Sequence, residues 1–384
     1  MTSTATPGAD GPRPRRNLSA RSRRRRRAVR TVLVAAAAVA VAVPLATGRG
    51  ERGTAAPAPA RPTATAQGAE DGKDPQDTQE PQRDDGTPAP QDARTIRLAF
   101  GGDVHFEGVS RSAVTRGLPT VRRMLGTADI AMVNLETAVT TRGTPAPKQF
   151  VFRAPPAALS VLRDAGVDVV TLANNHGMDY GRTGLSDTLR AATAAGLPLV
   201  GAGLNEAAAF APWTTTVRGL RVSVLGATDV LDTFAQRDWP AGPSTSGLAS
   251  AKDPTALLAA VRSASTRSDV VVVYVHWGKE MVTCPSDRQR DLARQLAAAG
   301  ADVVVGSHAH VLQPAGRVDG AYVHYGLGNY VFYARTPQTR STGVLTVDVG
   351  VHGVQRARWT PATITSGVPV PEDTGSVPST RCAL

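Results

Sequence analysis

The chain has 384 residues, 41% of them hydrophobic, with 43 Lys/Arg against 32 Asp/Glu, a formal net charge of +11 and two cysteines. Its length accommodates one large domain with appendages. Residues 1–30 carry ten Arg against one Asp, so most of the basicity is an N-terminal tail; this excludes a broadly basic nucleic-acid-binding domain.

The tail, residues 1–30, includes the run Arg23 to Arg27 and is predicted to stay on the cytoplasmic side. Val32 to Ala46 is an unbroken Ala/Val/Leu/Pro stretch, and residues 31–48 are read as a signal-anchor that fixes the protein in the cell membrane as a single pass. Ala46-Thr47-Gly48 offers a small-residue cleavage site, which makes secretion after signal cleavage the alternative. Residues 49–94 are rich in Pro, Ala and acidic groups and poor in large apolar side chains. Such a segment cannot bury enough surface to offset its chain entropy, so a flexible linker is expected. The folded domain is placed at 95–362 and a loosely ordered tail at 363–384, where Pro369, Pro371 and Pro378 oppose regular structure. If the domain is exported, an oxidising compartment allows a Cys284–Cys382 disulfide; two unrelated thiols are the alternative.

Within the domain, Val/Ile/Leu-rich runs at 96–100, 130–133, 167–172, 270–275 and 302–306 read as buried strands. Helices are expected at Pro155 to Ala165, at Thr183 to Ala195, from Asp253-Pro254 to about Ser265, and from Ser286 to Ala299. Val222 to Gly226 reads as a further strand. Ala321 to Tyr325, Gly343 to Val349 and Val354 to Trp359 lack intervening helices, and Gly350 to Gly353 reads as a hairpin turn. The pattern predicts an α/β domain with a mixed sheet or two packed sheets and antiparallel late strands.

Each of the five apolar runs stops at a polar signature. In order these are Asp103-Val104-His105, Asn134-Leu135-Glu136, Asn174-Asn175-His176, His276-Trp277-Gly278 and His308-Ala309-His310, which contain five of the seven histidines. The C-terminal edge of an α/β sheet is where ligands bind. In extended chain, residues i and i+2 point to one side, so Asp103 with His105 and Asn134 with Glu136 can each face one point. Glu136 is a candidate carboxylate bridge between ions. The alternative is an acid at a helix start. Two amides and an imidazole leaving a buried strand at 174–176 require partners, either in a ligand site or in a capped turn. His308 and His310 form a His-X-His clamp, with Gly306 permitting a tight turn. Oxygen ligands mixed with imidazoles suit two divalent transition ions, Mn, Fe or Zn, more than one structural zinc. Tyr325 to Tyr330, with Gly326 and Gly328, suits a close backbone approach or bulge near a ligand; the alternative is a bent strand in the core.

These signatures, with Glu280 and Gly326-Leu327-Gly328-Asn329, resemble in the same order those of the CapA-type poly-γ-glutamate capsule synthesis proteins over about residues 95 to 335. That family looks like a branch of the calcineurin-like metallophosphoesterases, so the resemblance implies a four-layer α/β/β/α sandwich. It implies metal ligands at Asp103, His105, Glu136, Asn175, His276, His308 and His310. His176 would act in catalysis without binding metal, beside Asp103 and Glu136. Asn134, Asn174, Trp277, Glu280 and Asn329 are expected to meet substrate. Metallophosphoesterases carry Gly-Asp where this chain has Asn134 and Glu136, and the longer carboxylate alters the metal spacing. The implied activity is a membrane-anchored, extracytoplasmic, metal-dependent hydrolase acting in synthesis, export or remodelling of an anionic cell-surface polymer, within a polymer synthase complex. The alternatives are a phosphoesterase acting on a small or lipid-linked phosphate and a non-enzymatic metal-binding scaffold of such a synthase.

Overall fold

A computed structural model describes residues 94–372 and Cys382. The basic tail, the apolar segment at 31–48 and nearly all of the linker lie outside the described residues. Among those described, no helix is long and apolar enough to cross a membrane.

The architecture follows from strands whose two faces are both apolar. In Val270–His276, Val270, Val272 and Tyr274 point to one core while Val271, Val273 and Val275 point to another. Ile130–Leu135 alternates in the same way, with Ile130 and Met132 on one side and Ala131, Val133 and Leu135 on the other. An unbroken Val/Ile run therefore marks a strand covered on both faces, as parallel strands in α/β proteins are.

Two sheets result. The first, edge to edge, is Val368–Pro371, Gly353–Thr365, Ser341–Gly350, Thr95–Val104, Ile130–Leu135, Val169–Thr171 and Leu199–Val200, with Asn329–Val331 also paired to Thr95–Val104. The second is Leu312–Val318, Ala321–Leu327, Val303–Ser307, Val270–His276, Leu220–Thr228 and Trp213–Val217. Both sheets are parallel at the centre and antiparallel at one or both margins. Their facing surfaces share one core, which includes Phe100, Met132, Tyr274 and Val305. Helices Ala157–Asp164 and Gly181–Ala195 cover the outer face of the first sheet through Leu159, Leu162 and Leu185. Thr255–Ser265 and Asp287–Ala298 cover the second through Leu257, Val261, Leu292 and Leu296. The layers are thus helix, sheet, sheet, helix.

The expected helices form within two residues of their predicted ends, and Ser286 closes a capping box with Gln289 at the start of the last one. Gly350 and Gly353 close the expected hairpin. The expected domain end at Ala362 is too early. Gly353–Thr365 continues past it and pairs with Val368–Pro371, with Thr363 opposite Val370 and Ile364 opposite Pro369. The prolines are tolerated because this is an edge strand, where amides on the open side need no partner. Three strands at Trp213–Val217, Leu312–Val318 and Asn329–Val331 carry no long apolar run and are visible only in the fold.

Cys284 and Cys382 form a disulfide that fastens the turn between the Val270–His276 strand and the Asp287–Ala298 helix. Cys382→Ser is expected to lower the unfolding free energy by about 2–4 kcal/mol, the usual range for a bridge closing a long loop. Urea unfolding of the oxidised parent and the variant, monitored by tryptophan fluorescence, checks this.

Candidate metal centre

Parallel pairing gathers the predicted signatures at one edge of each sheet. Asp103 sits in register with Asn134 on one side and Asn329 on the other, and His276 sits opposite Ser307. Gly102 makes the first juxtaposition possible. A β-carbon there would lie 1.9 Å from the Gly328 carbonyl oxygen, which accepts the Asp103 amide at 3.0 Å. Gly306 acts differently from the expected tight turn: it lies inside the Val303–Ser307 strand, and its missing β-carbon leaves room for the Trp277 indole. The turn that follows is made by His308 and His310 themselves, with φ of 91° and 55°. Left-handed backbone at two non-glycine residues carries a conformational cost that the surrounding structure must hold in place.

The ligand-type side chains converge in three overlapping groups. Glu136, His276 and His308 form one, Asp103, Glu136 and His310 a second, and Glu280, His308 and His310 a third; within each the ligand atoms lie within 4.8 Å of one another. Glu136 belongs to the first two groups, with Oε1 at 3.6 Å from His276 Nε2 and 3.8 Å from His310 Nε2. Asn175 Oδ1 lies 2.8 Å from His276 Nε2, so its amide oxygen is also at the centre. Behind these groups an amide ladder holds the first sheet's contribution. Asn174 donates to Asn134 Oδ1 at 2.9 Å, and Asn134 donates to Asp103 Oδ1 at 2.8 Å. Ser307 holds His276 Nδ1 at 2.9 Å.

Both oxygens of Glu136 are buried without any hydrogen-bond partner, as is His308 Nδ1. Leaving a buried carboxylate unpaired is among the costliest arrangements in a protein interior. Burial, reinforced by the neighbouring Asp103, pushes the Glu136 carboxyl well above the usual range. Burial and His310 lower the His308 ring to about 3, and burial with His308 lowers His276 well below the ordinary imidazole range, so both keep free lone pairs. Burial opposes a charge on His310, yet Glu136 and Asp103 outweigh it and hold the ring up to about 10. A cation is therefore favoured between the two carboxylates. An unpaired buried carboxylate beside imidazoles with free lone pairs is the donor set that divalent transition ions take, and these residues fit one.

His176 lies at the margin, with Nε2 at 4.0 Å from Glu136 Oε1. Its Nδ1 is held by Asp179 Oδ2 at 2.7 Å. Asp179, fully buried, also accepts the Phe152 amide at 2.7 Å and pairs with Lys148 Nζ at 2.8 Å. Lys148 reaches Asp232 at 3.2 Å and donates to the Asn175 carbonyl. Burial raises the Asp179 carboxyl to about 7 against the opposing pull of Lys148. Burial and Lys148 together hold the His176 ring well below its ordinary value.

His105 lies outside the three groups but beside the centre: Glu107 N and Ser110 Oγ engage its Nδ1, its ring stacks on Phe332 at 3.7 Å, and its Nε2 is buried with no hydrogen-bond partner among the described residues, as His308 Nδ1 is. Three residues expected to meet substrate stand elsewhere. Trp277 is fully buried and its indole N–H donates to the Tyr325 carbonyl at 2.7 Å, so it supports the second sheet and presents nothing to a substrate. Asn134 and Asn174 are likewise fully buried and serve to orient Asp103. Glu280 and Asn329 do line the opening, a cleft of ≈ 320 Å³ that exposes edges of His176 and His310.

The profile of the family described as bacterial capsule synthesis protein PGA_cap matches residues 97–334. This chain belongs to that family. The PGA biosynthesis protein CapA of Bacillus subtilis is 35% identical over 248 residues, 64% of this chain and 64% of that protein. The capsule biosynthesis protein CapA of Bacillus anthracis is 34% identical over 59% of this chain and 55% of its own length. The PGA_cap chain thus spans less than two thirds of these relatives. A crystal structure of a novel phosphatase from Mycoplasma pneumoniae covers 70% of this chain and 94% of its own at 14% identity, with a TM-score of 0.45.

Lys148, Asp179, Asp232 and Ser307 escaped the sequence reading. Asp179 had a usable signal, standing three residues after His176; Lys148 had only its rarity, as one of four lysines beside 39 arginines. Lys148→Met is expected to cost about 3 kcal/mol, because it strands a buried carboxylate, while adding Asp179→Asn recovers part of that loss. A double-mutant cycle on urea unfolding free energies measures the coupling.

Proposed function

We propose that this member of the PGA_cap family is a membrane-anchored, extracytoplasmic hydrolase using two divalent transition ions, Mn, Fe or Zn, on an anionic cell-surface polymer of the poly-γ-glutamate type. The observation that supports it best is the position of Glu136, a buried carboxylate with no donor that is common to two ligand groups. The names of the relatives supply the polymer, and the apolar segment at 31–48 supplies the anchor. The Cys284–Cys382 disulfide suits an oxidising compartment.

Asp103, Glu136 and His310 would hold one ion and Glu136, His276 and His308 the other, with Asn175 alongside. Ions held by these residues would supply Lewis-acid polarisation of the scissile group and a more acidic water. The protein's own work is positioning. Asn134 turns Asp103 by holding one carboxylate oxygen, leaving Oδ2 for the His308 amide and His310. Asp179 holds His176 by Nδ1, which leaves Nε2 facing the centre. From there His176, its ring held neutral by burial and Lys148, can take a proton at Nε2 as a general base beside the reacting group. Phe152 stacks on the His176 ring at 4.1 Å and restricts its movement.

Paired His308→Ala and His310→Ala substitutions are expected to remove at least one ion per chain and all hydrolysis. Elemental analysis of the full-length protein reads the first, and assays on γ-glutamyl oligomers and aryl phosphates read the second. Unchanged metal content would overturn the ligand assignment. His176→Ala is expected to retain its metal and its thermal midpoint while turnover falls by roughly two to four orders of magnitude, the range for a lost acid–base group. Full activity in that variant would remove His176 from the chemistry. Turnover of aryl phosphates alone, with γ-glutamyl oligomers untouched, would replace the amide polymer with a phosphoester.

A further inference from the structure

The cleft over the centre does not end there. A second cleft of ≈ 500 Å³ adjoins it, and the two share Phe150, Phe152, Tyr333 and Arg335 as walls. These four side chains form the saddle between them. Phe150 is 54% exposed and Val109, on the wall of the outer cleft, 59%, so the saddle and the cleft beyond it present apolar surface to solvent. Arg335 is exposed, stands over the Tyr333 ring at 5.9 Å and has no ion pair among the described residues. It is the one Lys or Arg on the walls of either cleft.

On the far side of the saddle the outer cleft is closed by Glu107 and Val109. Val109 is 59% exposed, and Glu107 uses Oε1 to accept the Arg153 amide at 3.1 Å, leaving Oε2 without a partner. The outer cleft therefore combines a free guanidinium, an aromatic floor and a free carboxylate acceptor. A guanidinium selects carboxylate or phosphate, and the aromatic floor suits methylene segments and flat amides. The carboxylate acceptor favours a ligand that brings an N–H or O–H donor, and it disfavours a chain that is anionic throughout. A chain that repeats carboxylate, methylenes and a secondary amide supplies all three. A polyphosphate has no such donor, and a polyol phosphate offers hydroxyls but no flat amide for the aromatic floor.

We propose that the outer cleft is a second subsite for an extended anionic polyamide, with Arg335 binding a side carboxylate and Glu107 accepting a chain amide N–H, so that the polymer crosses the Phe150 saddle to reach the metal centre. The inference rests on the polymer reading above and narrows it to an enzyme that grips an internal stretch of chain. A site for single phosphate monoesters would use the inner cleft alone.

The test is binding of γ-linked glutamate oligomers of two, four, eight and sixteen residues to the metal-loaded full-length protein, by calorimetry, with polyphosphate of matched charge in parallel. Affinity should rise about tenfold from the dimer to the octamer and then level off, as added units fill the outer cleft. Arg335→Glu should weaken octamer binding by about two- to fivefold, the scale of an exposed ion pair, and Arg335→Lys should restore part of it. Glu107→Gln should keep octamer binding and admit polyphosphate more readily. Affinity independent of length, together with oligomer binding that His308→Ala/His310→Ala abolishes, would overturn the subsite and leave the metal-site reading standing. Failure of every oligomer to bind while aryl phosphates turn over would overturn both the polymer reading and the subsite. Because Arg335 is exposed, its variants are expected to fold, and circular dichroism with metal content verifies that each one has.

Discussion

Asp103 and Glu136 bring two carboxyl groups to the same buried sheet edge, and Glu136 has no hydrogen-bond donor on either oxygen. Removed from water, such a pair is stable only if a proton or a cation lies between the carboxylates. His310 stands beside both acids and, against the effect of burial, they raise its ring to about 10, while burial lowers His276 and His308. Much of the surrounding structure answers the same electrostatic demand. The Asn174–Asn134–Asp103 ladder fixes one carboxylate, Ser307 fixes His276, and the left-handed turns at His308 and His310 bring their rings back over the edge.

The two sheets make this arrangement rigid. Their inner faces interlock through Phe100, Met132, Tyr274 and Val305, so the strand ends carrying Asp103 and His276 are fixed relative to each other. Tyr274 adds a polar tie from one sheet to the other, its hydroxyl donating to the Gly101 carbonyl at 2.9 Å. A metal site assembled from rigid strands needs little reorganisation, which is what positioning catalysis requires. The loops supply the rest: Lys148, Phe152 and Phe332 come from segments with little regular structure and surround His176 and the opening.

The candidate site is therefore divided between a buried edge of strand ends and a more open wall of loop residues. The first concentrates ligand chemistry in a space a few ångströms wide. The second carries the Phe150 saddle and the Arg335 guanidinium at the opening.

Sequence alone determined the strands and helices of the core, because apolar runs covered on both faces and amphipathic helices declare themselves by composition and period. It also placed Asp103, Glu136, His276, His308 and His310 at strand ends, since a polar group that stops a buried run must find a partner there. Tertiary structure decided which of these groups meet. Ser110 and Glu107 hold His105 by Nδ1 and leave its buried Nε2 without a partner, whereas Trp277 turns into the second sheet's outer core. It also decided the strand pairing of residues 363–371 and the Lys148–Asp179–His176 network, whose members are far apart in sequence or lack a periodic signal. Local pattern fixes which face of an element a side chain leaves from; contact across sheets and loops depends on register and packing, which no short stretch of chain encodes.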